Sequence, residues 1–311
     1  MTDFMIAVTL ARQLAELFFM MMLGTILLRA HLCDSSTAKG LSVICIYIVL
    51  PCIILESFQI SYTDEIRNGF LLALLAAFLI HLILFALTAL LGKIFSLDQI
   101  EKASLIYSNA GNLIIPLVTA VLGKEWVIYA SAFITVQNIF VWTHGVSLIS
   151  GQRKLSIKKI LTNVNMLAVA AGILIFFLQI RLPGIATDIM SSISGTIGPL
   201  SMIMIGIILG GASWRKVFGS RRIYLIGLLK MVLIPVIVLL FLKFSGLAGL
   251  VPEGKTILLI SLFAVITPSA STVSQLAQLY DNEPAYAGAI NALTTIFCIL
   301  TMPVMVYLYS L

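Results

Sequence analysis

Two short clusters bring ligand-binding residue types into otherwise apolar sequence. The first is Ser108-Asn109-Ala110-Gly111-Asn112-Leu113-Ile114-Ile115-Pro116, and the second is Ile266-Thr267-Pro268-Ser269-Ala270-Ser271-Thr272. Proline removes a backbone donor and interrupts a helix about one turn upstream. At membrane depth a broken backbone is tolerated only where it is buried in protein or lines a wet cavity. Asn109, Asn112, Thr267, Ser269, Ser271 and Thr272 could satisfy the freed backbone groups, or a substrate. Half-helices following Pro116 and Pro268 would present N-termini, each with open N–H donors and roughly half a positive charge. Two such ends facing each other suit an anion such as a carboxylate. One cluster alone would read more simply as a kink healed by polar side chains. Two at matched positions favour a binding site.

The other polar residues in apolar stretches are few. Gln137, Asn138 and His144 fall in one stretch and Asn291 in the last, where interhelical hydrogen bonding is the simplest role. Asn138 and Asn291 could brace the two clusters from behind. Ionisable groups inside spans are functional candidates by default. Arg12 and Glu16 stand one turn apart and could pair with each other. Lys230 could snorkel to an interface. His81 and Glu56 are the better candidates for carrying a coupling proton. Cys33, Cys45, Cys52 and Cys298 show no C-x-x-C spacing and read as small core hydrophobes. No Walker motif, H-E-x-x-H or G-x-S-x-G occurs, and three scattered histidines define no metal site. No enzyme chemistry, cofactor or metal is therefore expected.

The elements that must position these clusters are membrane helices. Hydrophobic residues make up 60% of the 311-residue chain and charged residues only 10%, against roughly 25% charged in a soluble domain. So few charges cannot cover a water-facing surface, and lipid must be the solvent. The net charge of +6 lies in loops between apolar stretches and does not point to nucleic acid. The N-terminus lacks a basic n-region, so the first apolar stretch is expected to remain in the mature protein.

Uncharged runs over 68–92, 103–123, 126–152, 160–180, 189–214, 256–280 and 284–311, with further spans near 10–29, 41–58 and 222–243, predict ten transmembrane helices. Twelve of the 19 Lys and Arg residues fall in loops on one side and five on the other. That bias puts the richer side in the cytoplasm and both termini outside. Ten spans divide at the basic loop 151–163 into 1–152 and 153–311. An odd number of crossings inverts the second half relative to the first, as in many secondary transporters. The fourth and ninth spans, each carrying one cluster, then occupy the same place in each half. The short loops suit a bacterial inner membrane.

Several segments in order resemble the auxin efflux carrier family, which includes plant PIN proteins and bacterial malate and malonate permeases. They are Leu23 to Arg29, Tyr47 to Pro51, Asn109 to Pro116, Asn138 to Gly145, Gly198 to Ala212, Thr267 to Ala270, Leu276-Ala277 and Leu300 to Pro303. The resemblance covers nearly the whole chain. It implies an all-α membrane fold shared with bile-acid symporters. Spans 1, 2, 6 and 7 would form a scaffold, often dimeric, and spans 3–5 and 8–10 a mobile unit with broken, crossing helices 4 and 9. The crossover role falls on Asn109, Asn112, Pro116 and Pro268, with Ser269, Ser271 and Gln275 as neighbours. Ser271 and Gln275 stand where sodium-coupled proteins of this fold often carry Glu and Gln, which speaks against a sodium site of that type. The short central loop lacks the length of many plant members, and Asn163-Val164-Asn165 stands where Asn-Pro is expected.

The function expected is a permease for a small organic anion, working by alternating access. The alternatives are a membrane sensor that binds a ligand on the same fold, and a sodium-coupled bile-acid-like symporter.

Overall fold

The computed structural model describes residues 16, 18–59, 63–151, 162, 164–211 and 219–311. Among them the chain is helical, and its one extended pairing is an isolated antiparallel bridge. The helices are α1 (Phe18–Arg29), α2 (Ser35–Glu56), α3 (Asp64–Phe95), α4 (Gln99–Ile106), α5 (Ala110–Val121), α6 (Val127–Ser150), α7 (Val164–Leu178), α8 (Gly184–Gly211), α9 (Arg221–Phe244), α10 (Gly254–Val265), α11 (Ser271–Leu279) and α12 (Pro284–Ser310). Six of these, α2, α3, α6, α8, α9 and α12, are long and apolar enough to cross a bilayer. The expected fourth and ninth spans are each two half-length helices, α4 with α5 and α10 with α11.

The sequence of α3 shows why lipid is the solvent. Leu71, Leu75, Phe78 and Leu82 repeat at helical spacing and all point outward, between 43% and 50% exposed. The opposite face carries Ala73, Ala76, Ala77 and His81, all fully buried. An outward stripe of large apolar residues with small and polar residues inside is unstable in water and favourable in lipid.

Small residues set the closest helix approaches. Where α1 meets α8, a Cβ on Gly206 would strike the Met21 carbonyl, and one on Gly24 would strike that of Ile203. The Thr25 hydroxyl donates to the Gly206 carbonyl at 2.9 Å across the same contact. α2 packs chiefly on α7 and α8, α3 lies along α6, and α9 lies along α12.

Three helices widen into π turns, at Cys45–Val49 in α2, Val141–Gly145 in α6 and Leu229–Leu233 in α9. Those of α2 and α9 immediately precede Pro51 and Pro235. A proline ring crowds the carbonyl four residues back, and the wider turn relieves that clash. Asn165 Nδ2 donates to the Ile46 carbonyl inside the first of these turns, at 3.0 Å.

A knot of polar groups ties one end of α4. Asp98 and Glu101 form a capping box. Glu101, 1% exposed, accepts from Arg222 Nε and Nη2 at 2.6 Å each and from the Tyr286 hydroxyl at 2.8 Å. Arg222 also donates to the Phe95 and Ser96 carbonyls at 2.7 and 2.9 Å. α3, α4, α9 and α12 are thus joined through one carboxylate and one guanidinium. Arg12 and Asn163 lie outside the described residues.

Candidate functional site

The two broken helices meet at their breaks. Residues 107–109 separate α4 from α5, and residues 266–270 separate α10 from α11. Ser108 and Ser269 form the antiparallel bridge. Asn109 N–H donates to the Pro268 carbonyl at 2.8 Å, and Ala270 N–H donates to the Tyr107 carbonyl at 3.0 Å. Each break therefore supplies the partner that the other lost by leaving the helix.

A long helix braces each break from behind. In α6, Gln137 Nε2 donates to the Ser108 carbonyl at 2.9 Å, and its Oε1 accepts the Ser108 N–H at 3.0 Å. In α12, Asn291 Nδ2 donates to the Ser269 carbonyl at 2.6 Å, and the Thr294 hydroxyl accepts the Ser269 N–H at 3.1 Å. On α6 the brace is Gln137, not the adjacent Asn138, which is half-buried.

Pro268 lies in its break, three residues before α11 begins. Pro116 does not stand at the corresponding place. α5 begins at Ala110, so position 116 falls inside it, and the N-terminus the crossing presents is that of residues 110–112. Asn109 makes the corner as an inverse γ-turn, with φ −75° and ψ 48°, and Ala110 N–H donates to the Ser108 carbonyl at 2.7 Å. Pairing with the other break, rather than the proline, fixes where the helix ends. The side chains of Asn112 and Pro116 lie outside the described residues.

Around the crossing, Asn109 is 4% exposed and its Oδ1 accepts from the Ser271 hydroxyl at 3.3 Å. Its Nδ2 is buried with no partner among the described residues, and so is the Ser269 hydroxyl. Neither N-cap residue, Asn109 or Ala270, caps its helix with a side chain. Thr267 donates its hydroxyl to the Ala264 carbonyl at 2.8 Å and is used up locally. Gln275 is fully buried and donates to the Ser201 hydroxyl of α8 at 3.0 Å, which links α11 to the helices around α2.

The two proton-coupling candidates are placed differently. His81 is fully buried in α3 between Phe133 and Phe140, with ring centroids 5.1 and 5.2 Å away. Its Nδ1 lies 2.7 Å from the Ala77 carbonyl. A carbonyl only accepts, so Nδ1 carries the proton. Nε2 then holds the lone pair, buried and without a partner among the described residues. Glu56 is half-buried at the last turn of α2, and that helix packs mainly on α7 and α8 rather than on the crossing.

Lys230 overturns the expectation that it snorkels. It is fully buried, and its ammonium donates to the Ser108 hydroxyl at 2.9 Å, the Leu105 carbonyl at 3.0 Å and the Tyr107 carbonyl at 3.4 Å. The last carbonyls of α4 have no helical partner and carry partial negative charge, which draws the ammonium inward instead of to an interface. The signal in the sequence was a lone lysine within a span one turn before Pro235. Its direction around the helix could not be read from that.

A cavity of about 840 Å³ lies beside the first break, lined by Phe85, Thr88, Lys93, Lys102, Ile106 and His144 among others. The His144 ring lines it, with Nδ1 2.8 Å from the Tyr107 hydroxyl.

The family described as membrane transport protein matches residues 9–159 and 152–306, most of the chain. No curated protein matches the chain. An integral membrane protein with several apolar helical spans is the arrangement such a match requires.

Proposed function

The chain belongs to the membrane transport protein family of auxin efflux carrier type, and from that premise we propose that it is a secondary transporter for a small organic anion, a carboxylate, held where the broken helices cross. The observation that carries this is the paired break. Asn109 Nδ2 and the Ser269 hydroxyl are buried without partners among the described residues, beside two half-helix N-termini whose N-cap residues make no side-chain capping bond. A carboxylate accepts from several donors at once, and uncapped N-termini favour negative charge. Asn109 and Asn112 supply amide donors. Ser269 and Ser271 supply hydroxyls, and Thr267 and Pro268 shape the backbone around them.

The architecture we propose is ten spans in two inverted five-helix repeats, 1–152 and 153–311, with both termini extracytoplasmic. Supporting it, the order of elements in α1–α6 recurs in α7–α12, with the half-length pair in the same place, and α3 on α6 matches α9 on α12. Spans 1, 2, 6 and 7 form the scaffold, the surface for any homodimer, and the remaining helices move against it in alternating access. The cavity bearing Lys93 and Lys102 is the path by which an anion reaches the first break from the cytoplasmic side. A coupling proton falls to His81, whose Nε2 has no partner among the described residues, ahead of Glu56.

The test is uptake of radiolabelled malate, malonate and indole-acetate into proteoliposomes under a proton gradient, a sodium gradient or neither. Saturable uptake of one acid is expected. No uptake of any of the three under every condition, by folded protein, would turn the assignment to another substrate class or to a ligand sensor.

A further inference from the structure

The crossing contains a charge that anion binding by Asn109 and Asn112 does not use. The Lys230 ammonium is fully buried, and its three hydrogen-bond acceptors, Leu105 O, Tyr107 O and Ser108 Oγ, are neutral oxygens from one stretch of four residues. Burying an ammonium costs several kcal/mol unless its donors are matched. Here three donors meet three oxygens, an arrangement resembling the ligand shell of a small monovalent cation.

Its position decides what that charge does. The negative end of α4 and the positive end of α5 lie only three residues apart, at residues 107–109. Left alone, the carbonyls of α4 would offset the attraction of α5 for an anion. An ammonium seated on those carbonyls neutralises the repelling end and leaves the attracting end unopposed, one residue from Asn109, whose Nδ2 has no partner among the described residues.

We propose that the crossing is a cation site filled by the chain's own Lys230, and that this tethered charge balances the carboxylate, so the carrier takes up no metal ion with its substrate. The cation site stands on geometry alone, while the charge-balancing role rests on the carrier function proposed above.

Two measurements test the halves separately. The first is thermal unfolding of Lys230→Ala in detergent, in choline, sodium or ethylammonium chloride at equal ionic strength. Ethylammonium supplies the missing group and is expected to raise the midpoint of Lys230→Ala by roughly 2–4 °C per kcal/mol of binding energy regained, leaving the wild type unmoved. No selective rise overturns the cation site. The second is proteoliposome uptake. Wild-type uptake of whichever of malate, malonate or indole-acetate is carried should be equal in sodium and choline media, a comparison that needs no variant. Lys230→Met keeps the length and removes the charge, and should raise KM about tenfold or more with a smaller change in kcat. Sodium-dependent wild-type uptake, an unchanged KM in Lys230→Met, or no wild-type uptake at all would overturn charge balancing. The ethylammonium experiment would still decide the cation site.

Discussion

Gln137 pairs with Ser108 as a neighbouring strand would, donating to its carbonyl at 2.9 Å and accepting from its N–H at 3.0 Å. The break takes both groups out of the helix ladder, and apart from Gln137 the carbonyl accepts, among the described residues, only the Ala110 N–H at 2.7 Å. Gln137→Leu keeps most of the volume, strands the Ser108 N–H at roughly 1–3 kcal/mol, and leaves the Ser108 carbonyl only its bond from the Ala110 N–H. Thr294→Val strands only the Ser269 N–H on the other side. The melting midpoint should therefore fall more for Gln137→Leu than for Thr294→Val. Equal midpoints for the wild type and Gln137→Leu would mean the brace is dispensable.

The Glu101–Arg222 pair should be coupled. Glu101 is nearly inaccessible, whereas the Arg222 side chain is 34% exposed, so solvent screening trims the interaction. Each partner also keeps other contacts when the first is lost, Asp98 N–H and Tyr286 for Glu101 and two carbonyls for Arg222. A double-mutant cycle with Glu101→Gln and Arg222→Gln should give a coupling energy on the order of 1 kcal/mol. Strict additivity would show that the bidentate contact contributes nothing beyond its separate hydrogen bonds.

Two glycines of α8 should respond oppositely to alanine. A Cβ on Gly206 would meet the Met21 carbonyl of α1, while one on Gly198 meets nothing within 4 Å. Gly206→Ala must push α1 and α8 apart and should lower the melting midpoint by several degrees. Gly198→Ala should leave it unchanged or raise it, since alanine is the better helix former by up to about 1 kcal/mol. A tolerated Gly206→Ala would show that the helices separate at no cost.

The breaks themselves were legible in the sequence, because proline beside small polar residues in a long apolar run marks a place where a helix cannot continue undisturbed. Their exact place was not. Pro116 suggested a break just upstream, yet the helix ends at 107–109, where Tyr107 and Asn109 can pair with Ala270 and Pro268. That choice depends on the other half of the chain. The brace on α6 was missed by one residue, Gln137 for Asn138, because adjacent positions on a helix point about 100° apart and spacing alone does not say which faces inward. Lys230 was misread for the same reason. Asn291 reaches the second break, where its matched position in the last span pointed.

The most direct measurement is titration of the transported acid onto purified wild-type protein, Asn109→Ala and Asn112→Ala, each shown to be folded by its melting curve. A hydrogen bond to a charged group contributes roughly 1.5–3 kcal/mol, so each variant should bind about tenfold more weakly or worse. Wild-type affinity in both variants would contradict binding at the crossing of the broken helices.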